Sequence, residues 1–502
     1  MINTQELILS TTTTLLIEGS DATQSLRYAR IPFSVPENTI ELTILLTKDT
    51  SQAAQLPIAL FDSTGAIRIM KASEGAIGHH EEEHTIGFDS ATAGAIPGPM
   101  PAGNWLLVIY KRRFFEDILL TSKIFASIMP ISAIGQRPPS LARNSFSQAV
   151  VNSKKGWYCG ELHVHSHEST GRTSVRKVLE VAQEKGLDFI ALSDHFTASH
   201  WIQIQDVYQD FNVLCLQSME VSGDFGHANI HGINRWINPL VDDNVELSKQ
   251  LGLKTPPTME QIADETHSQG GLFSINHAAS GLVAWRYHDF PVEKADLFEI
   301  WCLADGPTAF LYPSIWDTYL CQGIHLTGVG SSDSHNPTAE GPWKLGVIRT
   351  WVQAEQLSQQ AILSALKKGR CYVSYGPSRM EFQAEYAGNT YDMGESIPLK
   401  KGDACTFTLR LENNPSGNLF VMLSGQVHDI FYMQASEGSS GRECFFSLKE
   451  SDLRRISSGE AFVRLEFHED IVKQKFWGMA YRDHHSMRLL SNPIWFDAAE
   501  EK

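Results

Sequence analysis

Residues 159–165 read Cys159-Gly-Glu-Leu-His-Val-His165, a short apolar run that ends in two imidazoles one residue apart. Four more runs end in the same manner. They are Phe189-Ile-Ala-Leu-Ser-Asp-His195, Val213-Leu-Cys-Leu-Gln-Ser-Met-Glu220, Leu272-Phe-Ser-Ile-Asn-His277 and Leu326-Thr-Gly-Val-Gly-Ser-Ser-Asp-Ser-His335. Near-continuous apolar runs of this length are the pattern of parallel strands covered on both faces. Imidazoles and carboxylates at strand C-terminal ends are where an α/β barrel carries its active site. A set so rich in His, Asp and Glu reads most simply as a multinuclear metal site.

Around these runs the chain alternates strand and helix patterns from about 156 to 375, which predicts a parallel sheet or barrel. Val175, Val178, Leu179 and Ala182 recur at helical spacing, with Gly186 to end the helix. Thr258 followed by Gln261 has the form of a capping box. Residues 234–257 form a polar insert, either a lid or a surface loop. Residues 1–130 read as β structure, with strand-like runs at 40–46 and 105–110 between turn signals, and predict a β-sandwich or jelly roll. Residues 131–155 read as a linker. Beyond Tyr375-Gly-Pro377 alternating runs return at 405–411, 419–423 and 461–467, which predicts a second β-sandwich over 376–502.

The 502 residues exceed one ordinary core. A net charge of −17 argues against a nucleic-acid partner. It leaves room for a small anionic substrate, because bound cations can invert the local field. No apolar run reaches the roughly 20 residues that span a bilayer, and residues 1–18 carry Glu6 and no basic leader. Seven scattered cysteines without CxxC spacing fit reduced thiols in a cytoplasmic protein.

His163 and His165, two apart on a strand, point to one face and can hold one cation between them. Asp333 and His335 repeat that spacing. Glu220 can bridge two cations. Asp194 and His195 point to opposite sides, so one would ligate and the other orient. Any one of these alone is compatible with an ordinary core His, a capping Asp or a surface Glu. The whole set is not, because buried unpaired charges are costly and rare without partners or metals. Arg172 and Arg176 open the predicted helix; Arg172 could grip a substrate oxyanion, whereas Arg176 suits a solvated face. Glu299 ends a further strand, where it would orient a ligand. His79-His80-Glu-Glu-Glu-His84 and His484-His485 read as charged polar loops.

The order of motifs resembles the PHP (polymerase and histidinol phosphatase) domain. Glu161-Leu-His-Val-His-Ser166, Ser193-Asp-His195, Met219-Glu220, Asn276-His277-Ala278 and Gly330-Ser-Ser-Asp-Ser-His335 carry the resemblance. With its flanking β segments and Gly226-His-Ala-Asn229, the chain is most similar to the CehA/McbA-like metallohydrolase branch. The resemblance implies a distorted (β/α)7 barrel with two or three divalent cations, manganese, zinc or iron. It implies that His163, His165, Glu220 and Asp333 hold the first cation. Glu220 would bridge to a second, with His277 and a His after Glu220, and His195 and His335 would serve a third. The chain departs from the family at Thr170, in Ser169-Thr-Gly171, where an Asp is usual. A hydroxyl replaces a carboxylate ligand poorly, so a third cation needs Glu168 or His167 instead. Of the candidates after Glu220, His227 is preferred to His231. The turn Ser222-Gly-Asp-Phe-Gly226 would fold the chain back, leaving His227 near Glu220 and His231 about 13 Å further along. The resulting expectation is a metal-dependent hydrolase, a phosphoesterase using a hydroxide held between cations. Two rivals stand beside it: hydrolysis of an ester, carbamate or amide, and a binding protein with an inert barrel.

Overall fold

In the computed structural model the apolar runs of the middle segment are strands; three of them stop just before Asp194, His277 and Asp333, and the other two run through His163 and Glu220. The structure describes residues 7–17, 28–50, 57–65, 67–72, 78–88, 90–110, 118–128, 145–223, 225–237, 257–302, 311–339, 344–435, 441–470 and 486–498. Most of the expected linker, residues 238–256 of the polar insert and His484-His485 lie outside them.

Eight strands come first: β1 (Leu7–Ile17), β2 (Tyr28–Val35), β3 (Glu41–Thr50), β4 (Pro57–Phe61), β5 (Ile67–Ala72), β6 (Gly78–Gly87), β7 (Gly103–Tyr110) and β8 (Ile118–Ser127). They form two four-stranded sheets, ordered β1-β8-β3-β6 and β2-β7-β4-β5. Alternation turns Leu42, Ile44 and Leu46 of the first sheet and Leu60, Ile69, Leu107 and Ile109 of the second into one apolar core. The His79–His84 stretch is a strand, not the loop its charge suggested. Glu81 and Glu83 face solvent while His84 turns inward. A charged run survives as a strand because only every second side chain must leave water.

After the short β9 (Val150–Asn152) come β10 (Gly156–Val164), α1 (Val175–Glu184), β11 (Phe189–Leu192), α2 (Ser199–Val207), β12 (Leu214–Gly223) and β13 (Gly226–His231). They are followed by α3 (Met259–Ser268), β14 (Leu272–Ile275), β15 (Leu297–Cys302), α4 (Leu311–Cys321) and β16 (Thr327–Ser331). Ser174 caps α1 by accepting from Lys177 N at 3.2 Å, and Thr258 with Gln261 closes the expected capping box on α3. The buried stripe of α1 is Val175, Val178, Leu179 and Ala182.

β10, β11 and β12 run parallel, as do β14, β15 and β16. Between them β12 and β13 form an antiparallel hairpin, with Gly223 opposite Gly226, and β13 pairs antiparallel with β14. A bridge from Val164 to Ser334 draws the two ends of this strand series together. The fold is mixed α/β, and the sevenfold strand–helix repeat is realised only in part. A parallel crossover needs a dozen or more residues; the turn after Glu220 has too few, so the strand returns at once.

The sheet continues on the other side of β10 through β17 (Ile348–Ala354), followed by β18 (Leu357–Ser358), α5 (Gln359–Lys367) and β19 (Cys371–Tyr375). It does not stop at 375. Tyr372 pairs with Ser491 in the strand Met487–Ser491, which leads on to Ala461–Glu469 and Gly417–Leu423. The expected runs at 405–411, 419–423 and 461–467 are all strands. Buried Arg464 on Ala461–Glu469 donates to both carboxylate oxygens of Asp317 on α4, at 2.7 and 2.5 Å, and to Glu466 at 2.7 Å. No helix among the described residues is long and apolar enough to cross a membrane. All seven cysteines are free thiols.

Candidate metal centre

The ends of β10, β11, β12, β14 and β16 and the start of β13 converge on one buried cluster. Val164 is buried in the main core, so its neighbours His163 and His165 turn together to the opposite side. His163 Nε2 lies 3.3 Å from Glu220 Oε1 and 3.3 Å from Asp333 Oδ1. His165 Nε2 lies 3.4 Å from Glu220 Oε2 and 3.0 Å from Asp333 Oδ1. His277 Nε2 is 3.5 Å and His227 Nδ1 is 3.1 Å from Glu220 Oε1. His195 Nδ1 stands 2.7 Å from Glu220 Oε2, and its ring stacks on His165 at 4.4 Å. The His335 ring lies 4.3 Å from His165 on the more open side.

Among the described residues three donor sets with atoms mutually within 4.8 Å result: His163, His165 and Asp333; His163, Glu220 and His277; and His165, His195 and His335. His163 Nε2, His165 Nε2 and Asp333 Oδ1 are buried and face one another without forming a hydrogen bond. Two donors, each about 2.1 Å from a tetrahedral zinc, would stand about 3.4 Å apart. The contacts of 3.0–3.5 Å bracket that edge. The donor chemistry and spacing therefore fit divalent cations.

Partners behind the cluster fix which nitrogen faces inward. Glu299 accepts from His163 Nδ1 at 3.3 Å, from His277 N at 2.7 Å and from Ser331 Oγ at 2.6 Å. With its proton on Nδ1, His163 presents the Nε2 lone pair to Glu220 and Asp333, the usual arrangement behind a metal-ligating His. His335 Nδ1 donates to the Asp333 carbonyl at 3.0 Å, which frees its Nε2 likewise. Asp194 is the orienting member of its pair. It accepts from Ser166 N (2.8 Å), Ser166 Oγ (2.6 Å) and Ser169 Oγ (2.6 Å), and so folds the loop after His165.

Three site residues adopt left-handed backbone without being glycine: Phe196 at φ 64°, His277 at φ 26° and Asp333 at φ 52°. Such residues cost of order 1–3 kcal/mol each and persist where surroundings over-determine them.

The electrostatics are those of crowded imidazoles and carboxylates. Burial disfavours charged His163, but Asp333, Glu220 and Glu299 outweigh it and hold its pKa well above the usual value. His277 is pushed up to about 9, against burial, by Glu220, Glu299 and Asp333. Burial also opposes ionised Glu220 and Asp333, yet the surrounding imidazoles keep both well below the carboxylate range. Burial, His335 and His195 hold His165 low. The cluster gathers protons where cations would put positive charge.

Other expected residues lie elsewhere. Glu168 does not move toward the cluster. Its Oε2 accepts from Gly94 N at 2.8 Å and Ser199 Oγ at 2.7 Å, while His167 Nε2 sits 3.3 Å from Oε1. The Thr170 hydroxyl oxygen is buried without a hydrogen bond. Arg172 is exposed, and its amide donates to the His335 carbonyl at 2.8 Å. Arg176 pairs with Asp210 at the surface. His231 faces Ser218, at 2.8 Å from its Oγ; Asn229 stands opposite Glu220, with His227 and His231 two residues to either side, so it is the side-chain partner and not the distance along the hairpin that separates them. Asn229 spends its amide on the Leu162 carbonyl at 3.1 Å.

Sequence reasoning passed over Ser222, 2.6 Å from His195 Nδ1, and Asn276, whose amide donates to Glu220 at 3.2 Å. It also gave no role to Glu161. That carboxyl is fully buried and pushed up to about 7, although Ser332 and Gly346 donate to it. Ser222, Asn276 and Glu161 each lie within two residues of a named ligand, the one signal that could have flagged them.

No protein-family model and no curated protein matches the chain. Among solved structures it is similar to a two-domain protein from Bacteroides vulgatus ATCC 8482 described as containing a predicted PHP-like metal-dependent phosphoesterase. That match has 15% identity over 68% of this chain and 96% of the other, with a TM-score of 0.38. A metal-dependent phosphoesterase, so described as a putative assignment, from Bifidobacterium adolescentis ATCC 15703 matches at 15% identity over 35% of this chain and 87% of that one, TM-score 0.26. An amidohydrolase from Chromobacterium violaceum with bound sulfate and no metal matches at 14% identity over 36% and 88%, TM-score 0.27.

Proposed function

We propose that the chain is a metal-dependent hydrolase of the PHP type, in its CehA/McbA-like branch, acting on a small anionic phosphoester. The observation that carries the reading is the set of buried donors around Glu220 and Asp333, in which His163 Nε2, His165 Nε2 and Asp333 Oδ1 face one another at metal-edge distances without a hydrogen bond. His163, His165, His195, Glu220, His227, His277, Asp333 and His335 would hold two or three divalent cations, manganese, zinc or iron. Bound there, cations lower the pKa of water and neutralise charge that grows on a phosphoryl or carbonyl oxygen. The protein's own part is orientation. Glu299 fixes His163, the Asp333 carbonyl fixes His335, and Asp194 fixes the loop after His165. Where two cations are bound and the third set is empty, His335, the most open imidazole of the cluster, is suited to pass a proton from Nε2 to the leaving group. Exposed Arg172 beside it offers a cation to the substrate's non-reacting oxygens.

We read the chain as an N-terminal β-sandwich (1–130), a linker (131–155), the metallohydrolase segment (156–375) and a C-terminal β-sandwich (376–502). Free thiols throughout suit a cytoplasmic setting.

The test is paired rates on an aryl phosphate and an aryl ester, before and after chelation and readdition of each metal. Activity should vanish on chelation, return with metal and favour the phosphate. Asp333→Ala should lose most activity and some metal, with the fold kept. Wild-type turnover in that variant after free metal is removed would sink the proposal. A faster ester rate would replace phosphoester by ester or amide, and no retained cation would favour an inert binding protein.

A further inference from the structure

The outer face of the sheet β2-β7-β4-β5 is not left to solvent. Ala59, Met70 and Val108, one from each of β4, β5 and β7, bury the ring of Phe196, with Phe61, Ile67, Leu106 and Trp236 packed around them. Phe196 is the residue after His195. Its amide donates to the Glu220 carbonyl at 3.1 Å, and its carbonyl accepts from Trp236 Nε1 at 3.0 Å. At φ 64° this bulky residue sits in a backbone region it would leave if released. A second tie lies close by. Gly94, at φ 81° in the same N-terminal segment, donates to Glu168, and a Cβ on it would come within 3.1 Å of the Glu168 carbonyl. Glu168 belongs to the loop that Asp194 folds and that returns to the His335 carbonyl through the Arg172 amide.

Both ties meet loops that serve one corner of the cluster, the set His165, His195 and His335. Through the Phe196 amide the first tie also reaches Glu220, a member of a second set. We propose that the N-terminal β-sheet is part of the metal centre's machinery, and that Phe196 is a positioning residue. Ala59, Met70 and Val108 hold its ring and keep the strained backbone in place, and that backbone keeps His195 against Glu220 and Ser222. Without them, Phe196 would relax to negative φ, the His195–Phe196 peptide would turn, and the imidazole would swing out. The proposal rests on the reading of the cluster as a metal centre.

A double-mutant cycle on zinc affinity tests it. Metal-stripped full-length chain is titrated with zinc against a chromogenic chelator, with thermal unfolding recorded alongside. His195→Ala defines the class of zinc site that depends on this imidazole. Met70→Ala, on the N-terminal side of the contact, and Phe196→Ala should weaken the same class by about tenfold or more. Each should add nothing in the His195→Ala background, because a residue that acts only through His195 has no further effect once it is gone. Phe196→Leu, which refills part of the space, should recover part of the affinity. If Phe196→Ala fails to fold, Met70→Ala, which leaves residues 156–375 unchanged, carries the test. Additive losses, wild-type affinity in Met70→Ala, or a His195→Ala variant that binds zinc normally would each overturn the proposal. Failure of the metal-centre reading itself looks different: the unmodified chain would bind no zinc.

Discussion

Glu299→Gln is a narrow change with a calculable cost. The carboxylate, 2% exposed, takes three protons: Ser331 Oγ and His163 Nδ1 on Oε1, and His277 N on Oε2. An amide of the same shape has one accepting oxygen. If that oxygen replaces Oε1, the NH2 group faces the His277 amide and one buried donor stays unmatched, at a cost of ~1–3 kcal/mol. If it replaces Oε2, the NH2 group faces His163. That imidazole must then turn its Nδ1 lone pair toward Glu299 and move its proton to Nε2, the atom that faces Glu220 and Asp333. Either way the ligand set is worse. Losing an orienting partner of a metal-binding His typically lowers affinity ~10- to 100-fold, which is ~1.4–2.7 kcal/mol at 1.4 kcal/mol per tenfold. The unmatched donor costs apo stability and the lost orientation costs metal affinity, so the two are measured separately. Competition titration of the metal-stripped protein against a chromogenic chelator measures the loss, with apo unfolding as a control for the fold. Zinc affinity within about twofold of the unmodified protein would refute the claim that Glu299 aims His163 at a cation.

Other expectations follow from the same geometry. With no carboxylate in the set His165, His195 and His335, elemental analysis should find two tightly held cations and a third held loosely; Thr170→Asp should tighten the third, and three tight cations in the unmodified chain would contradict this. His227→Ala should weaken metal binding far more than His231→Ala, because His227 lies against Glu220 and His231 against Ser218; the reverse order in a titration would require a different hairpin register. Metal loading should release protons, since His277, held up to about 9, carries one at neutral pH that a cation must displace. Affinity should therefore rise with pH and level off above about 9, and a pH-independent affinity from pH 6 to 9 would show that no such proton is displaced.

The core of the site was legible because its chemistry is written at strand ends. His163, His165, His195, Glu220, His277, Asp333 and His335 close successive apolar runs, and nothing in an ordinary core asks for that pattern. The hairpin after Glu220 was legible from loop length alone, but not its register: Asn229 stands opposite Glu220 with His227 and His231 two residues to either side, and only their side-chain partners tell them apart. What escaped reading is tertiary. Nothing near Glu168 in sequence says that its partner is Gly94, 74 residues earlier. His79–His84 looked like a loop because its charge was counted without the alternation that hides His84. The polar residue types around Glu299 do not reveal that one carboxylate serves His163, His277 and Ser331 together. Continuity of the sheet past 375 depends on pairing with residues more than a hundred positions away.

That continuity bears on how the protein can be divided. Cys371–Tyr375 hydrogen-bonds on one side to β17 and on the other to Met487–Ser491. A chain cut after Tyr375 would keep every candidate ligand and still lose the neighbour that covers this strand. Its bare row of amide and carbonyl groups would be a template for any passing β segment, including the same strand of another copy. The strand Met487–Ser491 thus acts as a shield for the segment that carries the candidate ligands. Insolubility of a fragment trimmed to residues 156–375 would reflect that missing cover and not a fault in the metal centre.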